Sequence, residues 1–157
     1  MAISEYMEML ASQHRLVRHG EDEAHFSCLA EDAQNKYAHS MCYPCIVVDE
    51  GDFEIAGSEG QPVLEDAVTF MVLTHVVDTA DSSEVIDAFK LTRQITKDIL
   101  KRMIRDRKAG VKPLQRFRIV GCSGQRIYLQ DAGLYGYAVI LSSGEVMTEL
   151  DCDNSWM

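Results

Sequence analysis

Residues 68 to 108 constrain the fold more than any other stretch, because they read as one strand running straight into one long helix. Val68-Thr69-Phe70-Met71-Val72-Leu73-Thr74-His75-Val76-Val77 is dense in β-branched and aromatic side chains. Such residues fit a pleated surface buried on at least one face. Asp78 to Ser82 interrupts the run, and Asp81 with Glu84 three residues later has the pattern of a capping box. Beyond it Val85, Phe89, Ile95, Ile99, Met103 and Ile104 recur at helical spacing, with Ala88, Leu91 and Leu100 beside them. Lys108-Ala109-Gly110 is the expected stop, and Pro113 follows.

The rest of the chain is arranged around this unit. Residues 3 to 18 predict a helix lined by Tyr6, Leu10 and Val17, ending at His19-Gly20. Glu21-Asp22-Glu23 suits the first turn of a second helix carrying Phe26, Leu29, Ala30, Ala33 and Tyr37 to about Met41. One bent helix over 3 to 40 is the alternative. Pro44 disfavours helix at the residue before it. Cys45 to Asp49 then predicts a strand, Glu50-Gly51-Asp52 a turn and Phe53 to Ala56 a return strand. Gly57 to Pro62 predicts a polar loop. Strand-like runs follow at 114–120, 126–130 and 136–141, with Gly121-Cys122-Ser123-Gly124 joining the first two. Ser142-Ser143-Gly144 predicts a turn before a short strand at 145–150, and 151–157 a loose tail. No repeat or linker divides the 157 residues, so a single domain is expected, helical over 1–41 with its core at 43–150. Segregated helices and strands predict α+β: a mostly antiparallel sheet with the long helix packed on it.

Charge narrows the partners. The formal net charge is −10, a field that repels nucleic acid phosphates and anionic membrane. Sequence-specific nucleic acid binding and a membrane role are therefore not expected. Met1 to Glu8 carries acids where a signal peptide has a basic and then an apolar region. Five cysteines fit free thiols in a reducing compartment better than a disulfide framework. The expected location is the cytoplasm.

No motif announces chemistry. Cys42-Tyr43-Pro44-Cys45 has the redox Cys-x-x-Cys spacing, but here a helix-like segment precedes it and a strand-like one follows. The helix N-terminus that lowers a thiol pKa is then missing. His25, Cys28, His39, Cys42 and Cys45 are the weak metal candidates. Pairs three apart on a helix project to one side, as zinc ligation needs. Structural zinc sites favour tight turns, however, and isolated cysteine is commonly a small buried hydrophobe. No metal and no cofactor is the expectation. The carboxylate groups Asp49/Glu50/Asp52, Asp78/Asp81 and Asp151/Asp153 fall in predicted turns or caps, where aspartate serves local hydrogen bonding. His75, mid-strand, reads as a core or interface histidine. There is no Ser-His-Asp pattern, phosphate loop or dinucleotide fingerprint, so no catalytic residue is expected.

The most informative feature is a basic stripe on the long helix. Lys90, Arg93, Lys97, Lys101, Arg105 and Lys108 recur at spacings of three and four, flanked by Arg102 and Arg107. A solvated face is the plain reading. On a strongly acidic chain, the stripe also complements an acidic surface on another copy, as in a ring of subunits meeting head to tail.

The order of elements resembles that of phage tail terminator and tail-completion proteins. Tyr43-Pro44-Cys45-Ile46-Val47-Val48 looks like the entry into the first strand there. Phe70 to Asp78 followed by a helix over 82–107 is similar to the central strand and helix. Leu134-Tyr135-Gly136-Tyr137-Ala138-Val139-Ile140 looks like the late strand. The likeness covers about residues 40 to 142, in layout more than in identities. It implies a non-enzymatic virion component of a phage or prophage, forming a homo-oligomeric ring at the tail end and docking to other tail or neck proteins. Acidic residues facing the ring lumen would let DNA pass. The competing expectations are a small protein-binding or adaptor domain with no virion role, and a zinc- or thiol-dependent protein.

Overall fold

The computed structural model describes residues 1–28 and 41–146. The fold is α+β. Helix α1 spans Ile3–Gln13 and helix α2 Ser82–Lys108. The strands are β1 (Phe26–Cys28), β2 (Cys45–Ser58), β3 (Gln61–His75), β4 (Phe117–Arg118), β5 (Gly124–Leu129) and β6 (Leu134–Val146). They form one sheet in the order β1-β2-β3-β6-β4, with β5 also on β6. All pairings are antiparallel except that of β1 with β2. Short 3-10 turns cover Lys112–Leu114 and Gln130–Ala132.

Period-two alternation assigns the faces. Ile46 and Val48 of β2, Val68, Phe70 and Val72 of β3, and Val139 and Leu141 of β6 point to one side. Tyr6, Met7 and Leu10 of α1 and Ile95, Ile99 and Met103 of α2 meet them there, so both helices cover the same face. Leu114, Phe117 and Ile119 close this core at the C-terminal end of α2. The opposite face buries a smaller set, Cys45, Val47, Leu73 and Leu134. At the N-terminal end of α2, Phe89 meets Tyr135 edge-on at 5.6 Å, and the Arg126 guanidinium lies 4.5 Å above the Phe89 ring.

The boundaries of α2 have local causes. Asp81 accepts hydrogen bonds from the Ser83 backbone N–H at 2.9 Å and the Ser83 hydroxyl at 2.8 Å. Glu84 does not close a capping box; it faces the Asp78 N–H at 3.4 Å. At the other end Gly110 takes φ +83°. The Gly110 N–H bonds to the Arg107 carbonyl and the Val111 N–H to the Asp106 carbonyl, each at 3.1 Å. These two bonds define a Schellman stop, which requires the left-handed conformation that glycine adopts without strain.

Several expectations from sequence need correction. α1 stops at Gln13, not Arg18, because the His14 ring accepts the Leu16 N–H at 3.2 Å and competes with the helix. Phe26 belongs to a strand, since the Ile46 N–H bonds to the His25 carbonyl at 2.8 Å and leads the chain alongside β2. A single helix over 3 to 40 is thereby excluded, while the run from Leu29 to Ser40 lies outside the described residues. Glu50-Gly51-Asp52 is not a hairpin turn. β2 passes through it with a bulge between Glu50 and Phe53, and the turn falls at Glu59-Gly60, where Ser58 pairs with Gln61. Ser142-Ser143-Gly144 likewise lies inside β6, paired with Asp66, Ala67 and Glu65 of β3. The Gly121–Gly124 segment is no hairpin turn either, because β4 and β5 pair with the same edge of β6 and not with each other. The predicted strand beyond Val146 and the tail 151–157 are also outside the described residues.

Candidate interaction surface

The long helix presents two opposed sides. Ala88, Thr92, Ile95, Ile99, Met103 and Asp106 are buried. Lys90, Arg93, Lys97, Lys101, Arg105 and Lys108, which a period of 3.6 places on the other side, are all exposed. Among the ion pairs of the described residues only Arg105 of these six takes part, with its Nε 3.6 Å from Asp106. The stripe therefore stands as a largely uncompensated cationic surface. Residues 90–108 hold eight Lys and Arg against Asp98 and Asp106, a formal +6.

Beside the stripe, α1 and α2 enclose a groove of about 410 Å³. Leu10 and Ile99 give it apolar walls, and Lys101, Arg102 and Arg105 supply cations. The two helices are clamped along it. The Tyr6 hydroxyl donates to Asp106 Oδ2 at 3.0 Å, and Arg102 Nε donates to the same oxygen at 2.7 Å. Burial pushes the Asp106 carboxyl up, but the bonds from Arg102 and Tyr6 outweigh it and hold the group below its ordinary range. Burial, joined by the bond to Asp106, drives the Tyr6 phenol far above its usual value. Arg102 also donates to the Gln13 side chain at 3.4 Å, and His14 Nε2 sits 3.3 Å from Asp98. With Nδ1 accepting from Leu16, the His14 proton belongs on Nε2, facing that carboxylate.

A second surface comes from the bulge. Beyond it, β2 and β3 form a hairpin arm from Phe53 to Asp66 that outruns the helical layer. Phe53 is 71% exposed and Ile55 59%, although both lie on the helix-covered face of the sheet. Residues 49–66 hold seven Asp and Glu and no Lys or Arg, a formal −7. The acidic and basic surfaces of this chain are thus separate elements.

The other candidate residues are dispersed. His25 is buried, with Nδ1 2.7 Å from the Pro44 carbonyl and Nε2 3.4 Å from Glu23. Cys28 is exposed at the end of β1. The helical argument for pairing His25 with Cys28 fails, because residues three apart in a strand point to opposite faces. His39 lies outside the described residues. Cys42 is half-buried, and burial pushes the Cys45 thiol up to about 12. A thiol held protonated in this way is a poor nucleophile and a poor ligand. Among the described residues, no three His, Cys, Asp or Glu side chains converge on a point that could hold a metal ion. His75 is exposed at the end of β3, against the Tyr43 ring at 5.8 Å, and so is not a core histidine. Asp78 and Asp81 serve the start of α2, where Ala80 donates to Asp78 at 3.1 Å. Asp151 and Asp153 are outside the described residues. No described helix is long and apolar enough to cross a membrane.

Searches against protein families, curated proteins and solved structures found no match to this chain. Two features of the surface were not anticipated from sequence. Asp106 is a single acid within a basic run, and its spacing of four from Arg102 is the one local signal of a clamp. The alternation Phe53-Glu54-Ile55 reads as an ordinary half-buried strand, and nothing local marks it as standing clear of the helices.

Proposed function

We propose that this chain is a structural, non-enzymatic protein that assembles with copies of itself into a ring, as a virion component of the tail terminator or tail-completion kind. The observation that carries the reading is the exposed stripe from Lys90 to Lys108, opposite the buried side of α2 on a chain of net charge −10. Cations left without internal partners on an acidic body favour an acidic counterpart outside the chain. Because the basic and acidic surfaces are different elements, copies of this chain would meet head to tail, and such contacts close into rings when the rotation permits. The layout of entry strand, central strand, long helix and late strand supports the virion part of the reading.

The test is solution mass by light scattering or sedimentation at high concentration and low salt. A closed oligomer is expected, and Lys97→Glu with Lys101→Glu should reduce it to smaller species. A wild-type protein that stays monomeric under those conditions overturns the ring and leaves the adaptor reading in its place. Capsid, tail tube or tape measure genes beside this one are the expected context of a virion component.

A further inference from the structure

We propose that the acidic hairpin arm of one copy, residues 53 to 66, docks in the cationic groove between α1 and α2 of the next. This rests on the ring reading above and names the element that covers the stripe.

Three observations converge on this occupant. The first is charge. The arm segment 49–66 carries a formal −7 and the helix segment 90–108 a formal +6, so the two form a complementary pair within one sequence. The second is the mixed chemistry on both sides. The groove combines the apolar Leu10 and Ile99 with the cations Lys101, Arg102 and Arg105, which outnumber its one carboxylate, Asp98. The arm carries exposed Phe53 and Ile55 on one face, with Asp66 opposite Phe53 on the neighbouring strand, and exposed Glu54 and Glu65 on the reverse face. An aromatic anchor with charge at its edge is the usual composition of an interface centre and its rim. The third is reach. From Phe53 to Ser58 the arm extends about 17 Å at strand rise, with Phe53 and Ile55 exposed.

The same facts disfavour the arm's simplest alternative. Two arms pairing edge to edge about a two-fold axis near Glu54 would set acidic strands against each other. Like charges directly opposite across a strand pair are destabilising. The bulge and the carboxylates instead protect the edge of β2 that no other described residue pairs with beyond Val48, as charged and bulged edges do elsewhere.

The arm's own cations do not satisfy it. A concavity at its base brings Phe53, Glu54 and Asp66 near Arg107, Lys108 and Arg116 of the same chain. Among the described residues, however, no ion pair joins the two sets.

The experiment is a charge swap read by sedimentation of the full chain. Phe53→Ser and Glu54→Lys with Glu65→Lys alter exposed side chains, so the fold should be kept, and circular dichroism checks it. Glu54→Lys with Glu65→Lys should weaken self-association at least about a hundredfold, as like-charge contacts at an interface do, and Phe53→Ser about thirtyfold through loss of the anchor. Lys101→Glu with Arg105→Glu should do the same. Combining Glu54→Lys, Glu65→Lys, Lys101→Glu and Arg105→Glu in one chain should restore association, because the attraction returns with its sign reversed. If the stripe variants dissociate the oligomer while the arm variants leave it intact, the docking is overturned and the ring stands. If the combined variant stays dissociated, the two elements do not touch and the docking is likewise overturned. A wild-type monomer at high concentration and low salt overturns both.

Discussion

Replacing Asp106 by alanine should destabilise the fold by about 1–4 kcal/mol, with most of the loss felt at Tyr6. The Tyr6 side chain is fully buried, and its hydroxyl has Asp106 as acceptor at 3.0 Å. Without the carboxylate, the hydroxyl is left unsatisfied in the core, at a cost of about 1–3 kcal/mol. The bond from Arg102, a more exposed partner at 2.7 Å, adds about 0.2–1 kcal/mol. Tyr6→Phe removes the donor instead and should cost about 1.5 kcal/mol, because Asp106 keeps Arg102. The double variant should cost no more than Asp106→Ala alone, since phenylalanine no longer buries an orphaned hydroxyl. The coupling should then be at least about 1.5 kcal/mol. Urea unfolding of the four proteins measures it from the midpoints, provided the slope m is unchanged. Heating is a parallel readout, with a shift of about 2–4 °C per kcal/mol for a domain of this size. Single-variant losses that add to within about 0.5 kcal/mol would refute the clamp. Because this clamp joins α1 to α2 along the groove, its loss should also weaken self-association in proportion to the helix displacement.

Two further outcomes follow from the core. Gly136→Ala should prevent stable folding or cost several kcal/mol, because a Cβ there would collide with the Val72 carbonyl of the paired strand β3; soluble yield and thermal melting check it. Stability should fall at both pH extremes. Asp106 is held below its usual range, so its contribution is present above about pH 4 and is lost as pH drops through the lower folded value. Tyr6 and Tyr43 are raised, Tyr43 by burial to about 12, so their contribution is complete below about pH 10 and is lost as pH rises through the higher folded values. Urea midpoints across pH, with Tyr6→Phe as the control for its share, measure both limbs.

The same physics explains what could be read in advance. The strand and helix at 68–108 were legible because their signals are local: a β-branched run, an aspartate cap and an apolar stripe that persists for about five turns. The exposure of Lys90 to Lys108 follows from that periodicity once the apolar side is assigned to the sheet. Asp106 was not legible, because its role depends on Tyr6, a hundred residues away in sequence. Phe26–Cys28 was misjudged for a related reason. Glu21-Asp22-Glu23 favours a helix start, but the neighbouring β2 strand offers hydrogen bonds that outweigh this propensity. The decisive ambiguity was at Glu50-Gly51-Asp52. Glycine and aspartate supply the backbone freedom and local hydrogen bonding that turns and bulges both use. What separates the two outcomes is the partner: β3 runs without a break from Gln61 to His75 and pairs along both halves of β2. A turn at 50–52 would have left residues 53–66 as a short return strand and a loop lying over the sheet. The bulge carries them forward instead, and the extra residue changes which side chains face the helical side. Phe53 and Ile55 therefore point toward the face that the helices cover elsewhere, yet both stay exposed. The side that Phe53 and Ile55 face thus follows from the bulge, which sets two residues opposite Ala67; deleting Gly51 should restore one-to-one pairing and keep Phe53 opposite Asp66.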